Sequence, residues 1–226
     1  MTDLLDTIEI ESEPKPAASV IWMHGLGADG NDFAPIVPEL DLGGLPGVRF
    51  IFPHAPMRPV TINNGHVMRA WYDVSFGDLE GKSRKADEQG VRESQAAIGS
   101  LIARENQRGI ASRKIVVAGF SQGGAIALHT GLRYAERLAG VMALSTYLPL
   151  ADSLPAEATA LNKDAPIFFA HGAYDPVIAL PMATLSRDTL NARGYRVEWH
   201  EYPMQHSVCA EEIADISAWL QEVLQN

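Results

Sequence analysis

The chain has 226 residues and a formal net charge of -10, so a nucleic-acid partner, which needs a basic footprint, is not expected. Its 46% hydrophobic and 20% charged residues match an ordinary globular protein, and the length suits one α/β domain over residues 1–226 with a substantial core. No apolar run approaches the ~18 residues a membrane helix needs, and the only cysteine is Cys209, which excludes an internal disulfide and makes a cytoplasmic location the expectation.

The opening "MTDLLDTIEIESEPKP" is acidic, without the basic and apolar regions of a signal peptide. "SVIWM" at 19–23 reads as a buried strand, and the glycine-rich "MHGLGADGNDF" at 23–33 as a loop whose Asn31 or Asp32 caps a following helix. "LGGLPG" at 42–47 is a loop and "VRFIF" at 48–52 a second strand. The stretch 75–90 is at most a flap, leaving no room for a large lid domain. From Asp87 to Arg104, Val91, Ala97, Ile98, Leu101 and Ile102 share one helix face. "KIVVA" at 114–118 is a strand, followed by a helix over 123–138. "GVMAL" at 140–144 and "IFFA" at 167–170 are strands, and the helix over 181–194 closes on Gly194. "YRVEWHEY" at 195–202 alternates and belongs nearer a sheet edge. The last helix aligns Ile213, Ile216, Leu220 and Leu224. Most of these strand runs lack period-2 alternation, as in strands covered on both faces. Strands alternating with helices give an α/β fold with a mostly parallel central sheet and helices on both faces.

Between the strand at 114–118 and the next helix lies Gly119-Phe120-Ser121-Gln122-Gly123, a G-x-S-x-G in the strand–turn–helix context that the motif requires. Such a turn puts its apex side chain at the carboxyl edge of the sheet, where α/β folds bind ligands. Ser121 is either a small turn residue or a nucleophile, and a nucleophile needs a histidine base oriented by an acid. In this context the acid and then the histidine follow the serine. His171 ends a strand and His200 lies within one, whereas His206 follows Pro203 in the loop before the last helix, so His206 is the expected base. Asp175 follows "IFFA" directly; it is the expected acid, with a turn or cap as its plainer role. The developing oxyanion would then be held by the backbone N–H groups of Gln122 and Leu26.

His24 reads as a hydrogen-bonded loop residue, and His54, His66 and His129 show no pairing signal. No metal-ligand spacing appears and no cofactor is implied; "HGLGADG" lacks the Gly-Lys-Ser/Thr of a P-loop. Cys209 reads as packing rather than as a nucleophile.

Taken jointly, "HGLGADGNDF", "FPHAPMRPVTINNG", "WYD", "GFSQGG", "LSTYLP", "HGAYDPVI" and "EYPMQHSV" resemble the acyl-protein thioesterases and bacterial carboxylesterases of the α/β-hydrolases, from about Ser19 to the last helix. The resemblance implies a Ser121–His206–Asp175 triad with Leu26 and Gln122 amides as oxyanion donors. It also implies cleavage of carboxylic esters, with thioesters and lysophospholipids in reach, and a substrate site near Trp71, Tyr147 and Leu148. The chain departs from the family pattern at Met68-Arg69-Ala70-Trp71 and at Met204-Gln205-His206, where "MPSW" and "MGH" are expected. Arg69 would make the pocket mouth bulkier and more polar, and Gln205 would crowd the histidine loop. Without a large lid, an open, shallow site for soluble esters is expected, on a monomer or homodimer. The competing readings are a non-catalytic binding protein on the same fold, and a peptidase or lactone hydrolase using the same three residues.

Overall fold

A computed structural model describes residues 4–75, 77 and 87–225. The strands are β1 (Thr7–Glu11), β2 (Ala18–Met23), β3 (Val48–Pro53), β4 (Met57–Val60), β5 (His66–Arg69), β6 (Ile115–Phe120), β7 (Gly140–Leu144), β8 (Ile167–Gly172) and β9 (Val197–Tyr202). The long helices are α1 (Glu88–Gln107), α2 (Gln122–Arg133), α3 (Leu180–Ala192) and α4 (Ala210–Gln225). Among the described residues the main sheet has seven strands in the order β1-β3-β2-β6-β7-β8-β9. Every pairing in it is parallel except that of β1 with β3.

Two cores explain why the central strands show no alternation. Ile21, Met23, Val117, Ala143 and Phe169 pack on one face with residues of α1, α2 and α3. Their neighbours Val20, Trp22, Val116, Ala118, Met142 and Phe168 pack on the other with Ile216, Trp219, Leu220 and Leu224 of α4. Successive strand side chains point to opposite faces, so a strand covered on both sides must be apolar throughout. β9 lies at the sheet edge, where its alternating sequence places it.

Some sequence expectations need correction. The helix after Ser121 ends at Arg133, five residues before 138. Buried Asn162 replaces the next turn: its amide donates to the carbonyls of Tyr134 and Glu136, and its oxygen accepts from Leu138 N–H. Asn31 and Asp32 cap no helix. A 3-10 segment, Ala34–Glu39, starts at Phe33 without a side-chain cap, and Pro38 sits inside it. Strands β1, β4 and β5 go beyond the sequence reading. In β1, Ile8 and Ile10 lean on the second core while Glu9 faces Arg104 and Arg108. The suggested flap at 75–90 falls mostly on 76 and 78–86, outside the described residues. No helix among the described residues is long and apolar enough to cross a membrane.

Candidate active site

β6 and α2 meet at Ser121, whose backbone adopts φ 55 and ψ -120. A non-glycine residue reaches that region only at a cost of about 1–3 kcal/mol, so the surroundings must impose it. They do so from both sides of the residue. Ser121 N–H donates to Leu144 O at 2.8 Å, and Ser121 O accepts from Thr146 Oγ1 at 2.6 Å and Ala125 N–H at 3.1 Å. Gly123 makes the turn possible, since a Cβ there would sit 2.5 Å from Met23 O and 2.6 Å from His24 O. Only a residue without Cβ lets the start of α2 lie against the end of β2.

The loops after β8 and β9 carry the other two groups and are stitched together by backbone. Ala173 N–H donates to Tyr202 O at 2.8 Å and Tyr174 N–H to Met204 O at 3.0 Å. Gly172 permits this approach, for its Cβ would meet Met204 O at 2.5 Å and the Gln205 carbonyl more closely still. The joined loops bring Asp175 Oδ2 to 2.6 Å from His206 Nδ1, and His206 Nε2 to 3.0 Å from Ser121 Oγ. Phe120 packs on the imidazole with ring centroids 4.7 Å apart.

The Asp175 side chain is fully buried. Its Oδ1 accepts from Val177 N–H at 2.8 Å and Ile178 N–H at 2.9 Å. Burial pushes this carboxyl up, but the His206 hydrogen bond and the backbone donors outweigh burial and hold it below the usual carboxylate range. An ionised carboxylate can only accept, so His206 Nδ1 carries the proton and Nε2 is left to accept from the Ser121 hydroxyl. His171 stands 3.6 Å from the same carboxylate, but its Nε2 donates to Ile178 O. Burial lowers its pKa, and it supports the acid loop as a neutral ring.

Gly25 lies against Ser121: a Cβ there would come within 3.5 Å of the Ser121 Cβ. Leu26 is the next residue along, in a turn closed by Ala28 N–H to Gly25 O at 3.3 Å. Gly27, at φ 79, donates its N–H to Arg69 O at 2.9 Å. The Gln122 side chain clamps a separate segment, accepting from Trp71 N–H and donating to Tyr72 O, each at 2.7 Å.

Trp71 has no exposed surface, and its indole N–H donates to His24 O at 2.9 Å. It braces the site from behind and offers no face to a ligand in this arrangement. Tyr147 is half-buried, with its hydroxyl 2.8 Å from that of Tyr72, and Leu148 N–H donates to Ser186 Oγ. Tyr147 and Leu148 border a depression of 300 Å³ reaching Met182 and Leu185 on α3. Arg69 donates to Ala55 O, and Gln205 is exposed and turns its carbonyl toward Gly172. Cys209 is partly buried against the second core.

The sequence reading did not single out Thr146, Phe120 or the Gln122 side chain as site residues. Only Phe120 and Gln122 carried a signal, as the variable positions inside G-x-S-x-G.

A sequence profile of the phospholipase/carboxylesterase family matches residues 5–224. The chain belongs to that family. It is 43% identical over 215 residues to acyl-protein thioesterase 1 of Neurospora crassa, covering 92% of this chain and 87% of that one. With acyl-protein thioesterase 1 of Yarrowia lipolytica it shares 38% identity, over 95% of this chain and 96% of the relative. Among solved structures it resembles Zea mays acyl-protein thioesterase 2, at a TM-score of 0.84 and 29% identity over 97% of this chain and 99% of that one. Arabidopsis thaliana SOBER1 gives the same TM-score, 0.84, at 29% identity over 92% and 99%. The fold of this family member is that of the α/β-hydrolases, and it is an enzyme of the hydrolase class.

Proposed function

We propose that this family member cleaves carboxylic esters and acyl thioesters through an acyl-enzyme on Ser121, with His206 as general base and acid and Asp175 as the orienting carboxylate. The observation that carries the reading is the unbroken run from Asp175 Oδ2 to His206 Nδ1 at 2.6 Å and from His206 Nε2 to Ser121 Oγ at 3.0 Å. Both distances are within proton-transfer reach.

Ser121 Oγ attacks the acyl carbon as its proton passes to His206 Nε2. The carbonyl electrons move to oxygen, where the N–H groups of Leu26 and Gln122 stabilise them. Collapse breaks the bond to the alcohol or thiol, which leaves with the proton from His206. Water then repeats the sequence on the acyl-serine, releasing the acid and restoring Oγ–H. Tyr147 and Leu148 border the acyl side, and Trp71 supports it from within.

Further parts of the reading are one domain over residues 1–226, a monomer or homodimer, and cytoplasmic residence with no nucleic-acid partner. The lone Cys209 and the net charge of -10 support the last two.

The test is a panel of p-nitrophenyl ester, acyl thioester and anilide substrates run on wild type and Ser121→Ala. Turnover of ester and thioester by wild type, with loss of up to about 10⁶-fold in kcat in the variant, is expected. Substantial turnover by a folded variant would end the assignment.

A further inference from the structure

His24 follows β2 and is buried, yet it takes no part in the proton relay. Its two ring nitrogens are both engaged. Nε2 lies 3.0 Å from Ala55 N, and Nδ1 lies 2.7 Å from Gly25 O. A backbone N–H can only donate, so Nε2 accepts from Ala55, and Nδ1 must carry the proton and donate to Gly25 O. Geometry thus settles the tautomer.

The Gly25 carbonyl and the Leu26 N–H belong to one peptide unit, and no peptide bond among the described residues is cis. In a trans peptide the C=O and N–H point in opposite directions in one rigid plane. Whatever anchors Gly25 O therefore aims Leu26 N–H. Two donors anchor it: His24 Nδ1–H at 2.7 Å and Ala28 N–H at 3.3 Å. The imidazole bond is the shorter. The ring itself is pinned on the far side by Ala55 N–H and lies beside the Trp71 indole, with ring centroids 5.3 Å apart.

We propose that His24 is a positioning residue for the oxyanion site: its Nδ1–H, donated to Gly25 O, fixes the plane of the Gly25–Leu26 peptide so that Leu26 N–H faces the reacting carbonyl. This rests on the assignment of Leu26 as an oxyanion donor. Released from the imidazole, the peptide can rotate, and a rotated plane presents a carbonyl oxygen where a donor is needed. The role requires a neutral ring, because a second proton on Nε2 would confront Ala55 N–H. Burial holds His24 below the ordinary imidazole range. His54 and Arg69 act in the same direction, while the Gly25 carbonyl and the Asp29 charge oppose them.

Two substitutions separate the ring nitrogens. The amide of His24→Asn reaches the position of Nδ1 and can still donate to Gly25 O. The amide of His24→Gln reaches the position of Nε2 and serves Ala55 instead. His24→Gln is expected to lose about 10²-fold in kcat with little change in KM, the low end of removing one oxyanion donor. Inhibition by a trifluoromethyl ketone, whose adduct carries the oxyanion, should weaken in the same proportion. His24→Asn should recover most of both. Equal losses in the two variants, or wild-type kcat in a folded His24→Gln, would overturn the role. Nitrogen NMR of the wild-type protein gives a reading that needs no variant: at pH 7 Nδ1 of His24 should be protonated and Nε2 bare, and the opposite tautomer would refute the proposal. Ser121→Ala is assayed alongside. Activity surviving in that protein would sink the serine mechanism, whereas a dead Ser121→Ala beside a fully active His24→Gln sinks the His24 role alone.

Discussion

Asp175 and His206 meet across two loops with Oδ2 and Nδ1 2.6 Å apart, while the second carboxylate oxygen is held by the N–H groups of Val177 and Ile178. One oxygen is thus fixed by backbone, and the other is free to fix the imidazole. Asp175→Asn keeps the shape but can present an N–H donor to Nδ1 and favour the wrong tautomer, so kcat should fall about 10⁴-fold. Since the folded carboxyl is held below its usual range, its contribution to stability is present above the ordinary carboxyl pKa and is lost as pH falls through the folded value. The melting temperature of wild type should therefore exceed that of Asp175→Asn at pH 7, with the gap closing under acid. A gap unchanged by acid would show that the charge contributes nothing.

Gly172 separates the end of β8 from the histidine loop, and a Cβ would strike the carbonyls of Met204 and Gln205. Both obstacles are backbone, so no rotamer change relieves them. Gly172→Ala should cost about 1–3 kcal/mol of stability and displace His206 enough to lower kcat about 10²-fold. Denaturant unfolding and steady-state kinetics check this; unchanged values in both would mean that the loop yields freely.

Trp71 is a test of where the substrate side of the site ends. Trp71→Phe removes the indole N–H from His24 O inside the core, so a loss of about 2 kcal/mol or more is expected, with little change in the dependence of KM on acyl chain length. Thermal melts and a series of p-nitrophenyl esters distinguish the roles. An unchanged melting temperature with an altered chain-length profile would make Trp71 a substrate contact.

Glu212 in the first turn of α4 is fully buried, and burial pushes its carboxyl up to about 8 despite the opposing Cys209 backbone N–H. A raised folded pKa means that its stabilising contribution is complete below the unfolded value and declines as pH rises through the folded one. Glu212→Gln should match wild type at pH 4 and melt higher at pH 9. Parallel melting curves for the two proteins across that range would contradict the burial of an ionisable group there.

The parallel strands could be read from the sequence because each is covered on both faces and must be apolar throughout; "GVMAL" became β7 without a shift at either end. β1, β4 and β5 were harder to see. In β1, Glu9 pairs with Arg104 and Arg108 and Glu11 with Arg49, and β4–β5 is an exposed hairpin with Met57 and Val67 largely in solvent. The early end of α2 was invisible because Asn162, 24 residues beyond Leu138, supplies the polar partners that stop it. Ser121, Asp175 and His206 stood out through their order along the chain and their places after strands. Thr146 and His24 act by bonding single backbone carbonyls, Ser121 O and Gly25 O. His24 reads as a hydrogen-bonded loop residue, but no spacing pattern names the carbonyl that it or Thr146 bonds.

The most direct test of the serine mechanism is to treat the protein with a fluorophosphonate and locate the adduct by peptide mass spectrometry, in wild type and in His206→Asn. One equivalent on Ser121 in wild type, with labelling slowed by orders of magnitude in the variant, is the expected result. No adduct on Ser121, or equally fast labelling without the imidazole, would contradict it.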